Sequence, residues 1–160
     1  MTGSDEEVQL VTFRVGGQEF GFNIFDVERV LRYEPPVPLP EAPDFLEGVL
    51  QYGETTVPVI DLRKRLGVEA VLAEETRTMI LEWEQGRIGV VVDAVVELLK
   101  APVDEIASPP PFVRGLAAEY INGIFSRDGR TVVILAIAKI LSSKERIALE
   151  GTTSKATHGS

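Results

Sequence analysis

The chain writes one pattern of short apolar segments twice, and that repetition limits its possible folds more than any single motif does. With Gly21 set on Gly89, Phe20 falls on Ile88, Phe22 on Val90, Ile24 on Val92, Val27 on Val95, Val30 on Leu98 and Leu31 on Leu99, without a gap. Upstream, Phe13 meets Leu81 and Val15 meets Trp83. With Gly48 set on Gly123, Val57, Val59, Ile60 and Leu62 meet Val132, Ile134, Leu135 and Ile137, and Leu66 meets Leu141. Both copies run hairpin, proline-rich loop, hairpin, short helix, and their small difference in spacing falls in the proline-rich loops, where insertions are tolerated. A repeat of this size is one structural unit, so it is read before any motif. Each unit has four or five short strands, near the minimum for a small closed barrel, and closure hides the edges of Val-rich strands. The expected fold is all-β: two similar small barrels packed side by side, with short helices.

The local signals agree with this plan. QLVTFRVGGQEFGF reads as a hairpin, with Leu10, Thr12 and Arg14 alternating against Val11, Phe13 and Val15 about a Gly16-Gly17 turn. Ile24, Val27, Val30 and Leu31 recur at helical spacing and predict a short turn of helix. EPPVPLPEAPDF holds five of the ten prolines and predicts a stiff, extended loop. Val49–Gln51 and Val57–Leu62 read as strands, followed by a short helix at Arg63–Leu66 that Gly67 stops. The acidic stretch at Glu74, Glu75 and Thr76 reads as a linker. TMILEWEQGRIGVVVDAVVELL repeats the first hairpin with a turn near Gln85-Gly86, PVDEIASPPPF is a second proline-rich loop, and YINGIFSRDGRTVVILAIAKIL is the last hairpin and helix. From Ser142 the chain turns polar, and disorder is expected after Gly151.

Composition removes several classes of function. The net charge of −9 repels a phosphate backbone, so nucleic-acid binding is disfavoured. The one dense basic patch, Arg63-Lys64-Arg65, reads as a solvated helix face. No apolar run approaches the ~20 residues a membrane-spanning helix needs, and MTGSDEEVQL lacks the basic start and apolar run of a signal peptide. The chain has no cysteine, which excludes disulfides and thiolate chemistry and permits a reducing compartment. A cytoplasmic protein without direct membrane insertion is expected.

Catalytic constellations are missing as well. His158, the only histidine, lies near the carboxy terminus, which argues against acid–base pairs, triads and histidine-ligated metals. No glycine-rich phosphate loop is present. Asp26/Glu28 and Glu82/Glu84 are carboxylate pairs by proximity alone. Asp93 reads as a turn residue that satisfies backbone donors, Trp83 as core, and Asp61 as a helix cap, because its counterpart in the repeat is Ala136. No enzyme, cofactor or metal is expected. Val27, Tyr33, Leu39, Phe45, Leu50 and Tyr52 surround the first proline loop, where they either form a partner surface or fill the seam between the barrels.

VTFRVGGQEFGFNIFDVERVL, PLPEAPDFLEGVL, VPVIDLRKRLG, IGVVVDAVVELL and YINGIF with ILAIAKIL together resemble the CheW family of chemotaxis coupling proteins, over about Val8–Leu149. The resemblance implies a single CheW-like domain over residues 8–150, built from two five-stranded SH3-like barrels of about residues 8–72 and 76–145, between which segments can exchange. Residues 1–7 and 151–160 are left as flexible tails. It also implies a non-enzymatic adaptor that links chemoreceptor cytoplasmic tips to the regulatory domain of a CheA-type histidine kinase, in chemotaxis or a related motility pathway, recruited to membrane-associated receptor arrays. Carried over by position, its partner-binding residues are Val27, Arg29, Val30, Gly48, Leu50, Tyr52, Gly53 and Glu54. The chain departs from the family at the last two: the family's arginine falls on Gly53 and its turn glycine on Glu54, while the second copy keeps Asp128-Gly129. Ala136 and Ala138 also stand where the family often has acidic or amide residues. One alternative is a specialised relative that binds the kinase with altered receptor binding. Another is a twin-barrel protein that binds a small ligand in the seam, which requires a deep apolar pocket with convergent polar groups.

Overall fold

A computed structural model describes residues 6–83, 86–108 and 121–140. Its strands are β1 (Glu7–Val15), β2 (Gln18–Asn23), β3 (Val27–Arg32), β4 (Leu46–Tyr52), β5 (Thr55–Asp61), β6 (Arg77–Trp83), β7 (Gly86–Val92), β8 (Ala94–Pro102), β9 (Ile106–Ala107), β10 (Ile121–Arg127) and β11 (Arg130–Leu135). Two single-turn helices, α1 (Leu62–Arg65) and α2 (Ile137–Ile140), follow β5 and β11. The protein is all-β, in two SH3-like barrels. One sheet has the order β8-β1-β2-β11-β10-β9 and the other β3-β6-β7-β5-β4. The expected count of five strands holds for the second; β9, two residues long, makes six in the first. The second barrel has an equivalent of β9 in the Val37↔Val49 bridge, which ties the proline loop to β4.

Neither sheet is drawn from one continuous half of the chain. The first barrel takes β1 and β2 from the first repeat and β8, β10 and β11 from the second; the other barrel makes the reverse choice. Each sheet has one parallel pairing, β11 with β2 and β5 with β7, in which Ile134 lies beside Gly21 and Val59 beside Gly89. These are equivalent positions of the two repeats, so the duplication extends to strand register. One apolar core spans both barrels: Phe13, Phe20 and Phe22 pack in it with Leu62, Met79, Leu81, Ile88, Val90 and Ile140. Phe13 stacks on Phe22 with ring centroids 5.0 Å apart. Burying a side chain of that size contributes about 1.5–3 kcal/mol, and a core shared across the seam holds the barrels together. A second cluster of Leu10, Ala101, Phe125, Val132 and Ile134 lies in the first barrel.

Several local expectations hold. Gly16 and Gly17 turn the first hairpin with φ of 60° and 85°. Asp61 caps α1, its carboxylate accepting from Arg63 N–H at 2.9 Å, and Gly67 follows the helix at φ 75°. Trp83 is buried.

Others need correction. Val27–Leu31 is strand, and helix is confined to a 3-10 turn at Ile24–Asp26. A β-bulge explains the misreading: between Val27 and Arg29 the register against β6 slips by one residue. The extra residue breaks the two-residue alternation, so the apolar positions fall three and four apart, as in a helix. The same slip recurs in β8 opposite Thr12 and Phe13, where the buried Thr12 hydroxyl accepts from Glu97 N–H at 3.2 Å. Part of PVDEIASPPPF is ordered: Pro102 closes β8, Val103–Glu105 forms a 3-10 turn and β9 follows. The remainder of that loop, Gln85, and everything after Ile140 lie outside the described residues. β1 includes Glu7, and Glu6 O accepts from Val103 N–H at 3.0 Å.

Candidate docking site

β3 and β4 form the two edges of the second sheet, and the carried-over residues lie on these strands and on the turn after β4. Glu28, the bulged residue of β3, closes the gap between them. Its Oε2 accepts from the Tyr52 hydroxyl of β4 at 2.9 Å, and its Oε1 accepts from Arg87 Nε of β7 at 2.6 Å. The Arg87 guanidinium also stands over the Tyr52 ring, 5.7 Å from its centroid. A bulge re-aims a side chain that regular pleating would send to the other face, and here it sends a carboxylate across the barrel mouth.

The electrostatics follow from these contacts. The Arg87 hydrogen bond, then that of Tyr52, holds the Glu28 carboxyl below the ordinary carboxylate range. The same partner raises the Tyr52 phenol and the Arg87 guanidinium above their ordinary values. An ionised Glu28 with both oxygens engaged is a poor proton acceptor, so the cluster is fitted to shaping a surface rather than to moving protons.

The carried-over residues divide into two groups. Arg29, Val30, Gly53 and Glu54 are exposed, while Val27, Leu50 and Tyr52 are half-buried. Gly48 is buried, and its position is fixed from below. A Cβ there would stand 2.4 Å from the Val37 carbonyl oxygen, at a φ of 148° that side chains avoid. Gly48 therefore admits the proline loop, and Gly123 does the same under Ile106 in the other barrel. Val27, Leu39 and Phe45 pack against the shared core, so these members of the apolar set around the loop are at least partly core residues.

The departed turn has its own geometry. Gly53 has φ 61°, whereas Asp128 and Gly129 have φ 52° and 79°; Glu54 does not have positive φ. One leading glycine is the pattern of a type II′ hairpin turn, and two positive φ values that of type I′. Moving the glycine by one residue has exchanged one favoured turn for the other.

Sequence reasoning missed three residues. Arg87 and Glu28 meet across 59 positions, with no local pattern to announce the pair. The third is Arg63, which is not solvated but 4% exposed. It is bidentate on Asp61, Nε to Oδ1 at 2.9 Å and Nη2 to Oδ2 at 3.0 Å, and Nη1 donates to Val71 O at 2.9 Å and reaches Asp93 Oδ1 at 3.3 Å. Asp93 Oδ2 in turn accepts from Gly16 N–H at 2.8 Å, as expected of a carboxylate that serves backbone donors. The Asp61 hydrogen bond raises the Arg63 guanidinium above its ordinary range. Of the rest of that patch, Lys64 pairs with Glu47 at the surface and Arg65 stands over Phe45 at 5.8 Å.

Asp26 and Glu28 do not act as a pair, since Glu28 is engaged with Arg87 and Tyr52. Among the described residues, no group of three or more His, Asp or Glu side chains is placed to hold a metal, and no helix is long and apolar enough to cross a membrane.

Comparison with known proteins adds an independent finding. The chain is 31% identical over 150 residues to the chemotaxis protein CheW of Treponema pallidum, covering 91% of this chain and 88% of that one. It is 32% identical over 146 residues to the protein FrzA of Myxococcus xanthus, covering 89% and 91%. The crystal structure of the scaffolding protein TtCheW from Thermoanaerobacter tengcongensis superposes with a TM-score of 0.80 at 29% identity, covering 88% of this chain and 97% of that one. The CheW-like domain matches residues 9–145, a span that takes in both barrels, and the chain belongs to that family.

Proposed function

We propose that the chain is a non-enzymatic signalling adaptor that couples the cytoplasmic tips of chemoreceptors to the regulatory domain of a CheA-type histidine kinase, in chemotaxis or a related motility pathway. The observation that carries this reading is the family match across both barrels, together with a solved neighbour described as a scaffolding protein. The geometry agrees with it: the polar cluster between β3 and β4 has its acid already engaged and leaves an exposed rim of Arg29, Val30, Gly53 and Glu54. In this reading the receptor contact uses the β3–β4 face, with Val27, Leu50 and Tyr52 half-covered beneath it and Gly48 setting the path of the loop. The adaptor works in the cytoplasm, recruited to membrane-associated arrays. Holding two partners at once raises the effective concentration of each, so weak contacts suffice.

The test is to mix the purified protein separately with a kinase regulatory domain and with a receptor signalling fragment and to measure both affinities. Binding to both is expected; binding to neither removes the reading. A second reading, kinase binding with altered receptor binding, is favoured by the II′ turn at Gly53-Glu54, and it expects the kinase affinity to persist while the receptor affinity is low.

A further inference from the structure

The duplication lets each place in one barrel be compared with its counterpart in the other, and at one place the two differ in content. In the second barrel, after β5, the Arg63 side chain is held between the Asp61 and Asp93 carboxylates and beneath the Val71 carbonyl. The counterparts of Asp61, Arg63 and Asp93 in the repeat are Ala136, Ala138 and Phe25. Among the described residues no guanidinium is supplied there, and the first barrel has an open groove of about 370 Å³, lined among others by Leu10, Asn23, Asp26, Asn122, Ala136 and Ala138. Phe25, next to the groove-lining Asp26, is 84% exposed. Asp26 itself has no ion-pair partner among the described residues, and the charge that acts on it is the like charge of Glu82. The carboxyl is raised above its ordinary range, first by burial and then by that like charge, as expected of an acid without a counter-ion.

We propose that this groove receives an arginine side chain from a partner protein, with Asp26 as its counter-charge. Arginine is favoured over lysine because a planar fork can serve the Asp26 carboxylate and a side-chain amide oxygen of the same lining, such as that of Asn122, together, which an ammonium group cannot reproduce. The chain's net charge of −9 draws a cationic face toward it. The proposal requires only a protein partner and does not depend on the adaptor reading.

The full-length protein is titrated with N-acetylarginine amide and followed by amide chemical shifts, with N-acetylcitrulline amide as the uncharged isostere. Saturable shifts are expected at Asn23, Asp26, Asn122 and Ala136 to Ala138, absent with citrulline, weakened about tenfold in Asp26→Asn and lost in Ala138→Arg, whose own guanidinium fills the groove. At the protein level, Ala138→Arg weakens binding of either the kinase regulatory domain or the receptor fragment by about tenfold, while Ala138→Ser leaves both unchanged. If the wild type binds neither protein, the adaptor reading falls and the arginine titration still judges the groove. Equal shifts with citrulline, shifts indifferent to both variants, or undiminished binding of Ala138→Arg to both proteins overturn the proposal. So does a solution contact between the groove and the chain's own Lys144 or Arg146, or with a second copy, either of which gives the groove a different occupant.

Discussion

Removing the guanidinium of Arg63 leaves the Asp61 carboxylate buried with only the α1 amide to compensate it. Breaking a buried pair from one side costs about 3–5 kcal/mol, whereas replacing both partners by apolar groups of similar volume costs far less. Arg63→Ala is therefore expected to lose about that much in denaturant unfolding, and Asp61→Leu with Arg63→Met to recover most of it. A double variant as unstable as the single one would place the cost in packing instead. Asp26 gives the opposite case. Its folded-state pKa lies above the ordinary aspartate value of 3.8, so the folded chain holds that proton more tightly than the unfolded one. The stabilising effect of the proton is complete below that value and is lost as pH rises through the folded-state pKa. Asp26→Asn should thus melt higher than wild type at neutral pH, with the difference fading as pH falls to 3.8 and below. A difference that is constant with pH rules out the charge as its cause.

Among the elements, most of those with an internal copy were legible in the sequence, because each was read against its counterpart; β3 is the exception. The first hairpin, β4 with β5 and the last hairpin all stand where the repeat expects them, while the α1 cap at Asp61 was legible from its place before the helix, its counterpart being Ala136. What the sequence hid follows from two physical causes. A bulge adds one residue to a strand and counterfeits helical spacing, which is why β3 looked helical. Charge pairs such as Glu28–Arg87 join distant strands, and no window of sequence contains both. The expected partner residues illustrate the same limit: Gly48 could be singled out by position, but that a carbonyl oxygen lies against it belongs to the packed loop. The β4–β5 turn can be tested as an element. Gly53→Arg alone puts a side chain at φ 61° and costs about 1–2 kcal/mol. With Glu54→Gly added, the turn can pass to the I′ geometry of Asp128-Gly129, in which position 53 keeps a positive φ as Asp128 does, so only part of that loss should return. If the turn governs the receptor contact, the double variant also binds the receptor fragment more tightly, with kinase affinity unchanged. An unchanged receptor affinity assigns the contact elsewhere on the β3–β4 face.

At the scale of the whole molecule, the exchange of strands between repeats decides what can fold alone. Cutting between Glu74 and Glu75 separates the two copies of the sequence, yet it leaves both sheets incomplete. The amino-terminal part keeps β1 with β2 and β4 with β5 but lacks β8 and β11 for the first sheet and β6 and β7 for the other. The carboxy-terminal part is left with the mirror-image deficit. A two-stranded hairpin is at best marginally stable in water, and the core that Phe13 and Phe22 share with Leu81, Ile88 and Val90 is divided by the same cut. Each fragment by itself should therefore give collapsed amide dispersion and no cooperative unfolding transition. Mixed in equal amounts, the two should regain the dispersion of the intact chain, with a midpoint that rises with concentration because association now accompanies folding. Cooperative unfolding of either fragment alone would mean that one repeat can close a barrel from its own strands, and the exchanged topology would then be a consequence of linkage rather than a condition of folding.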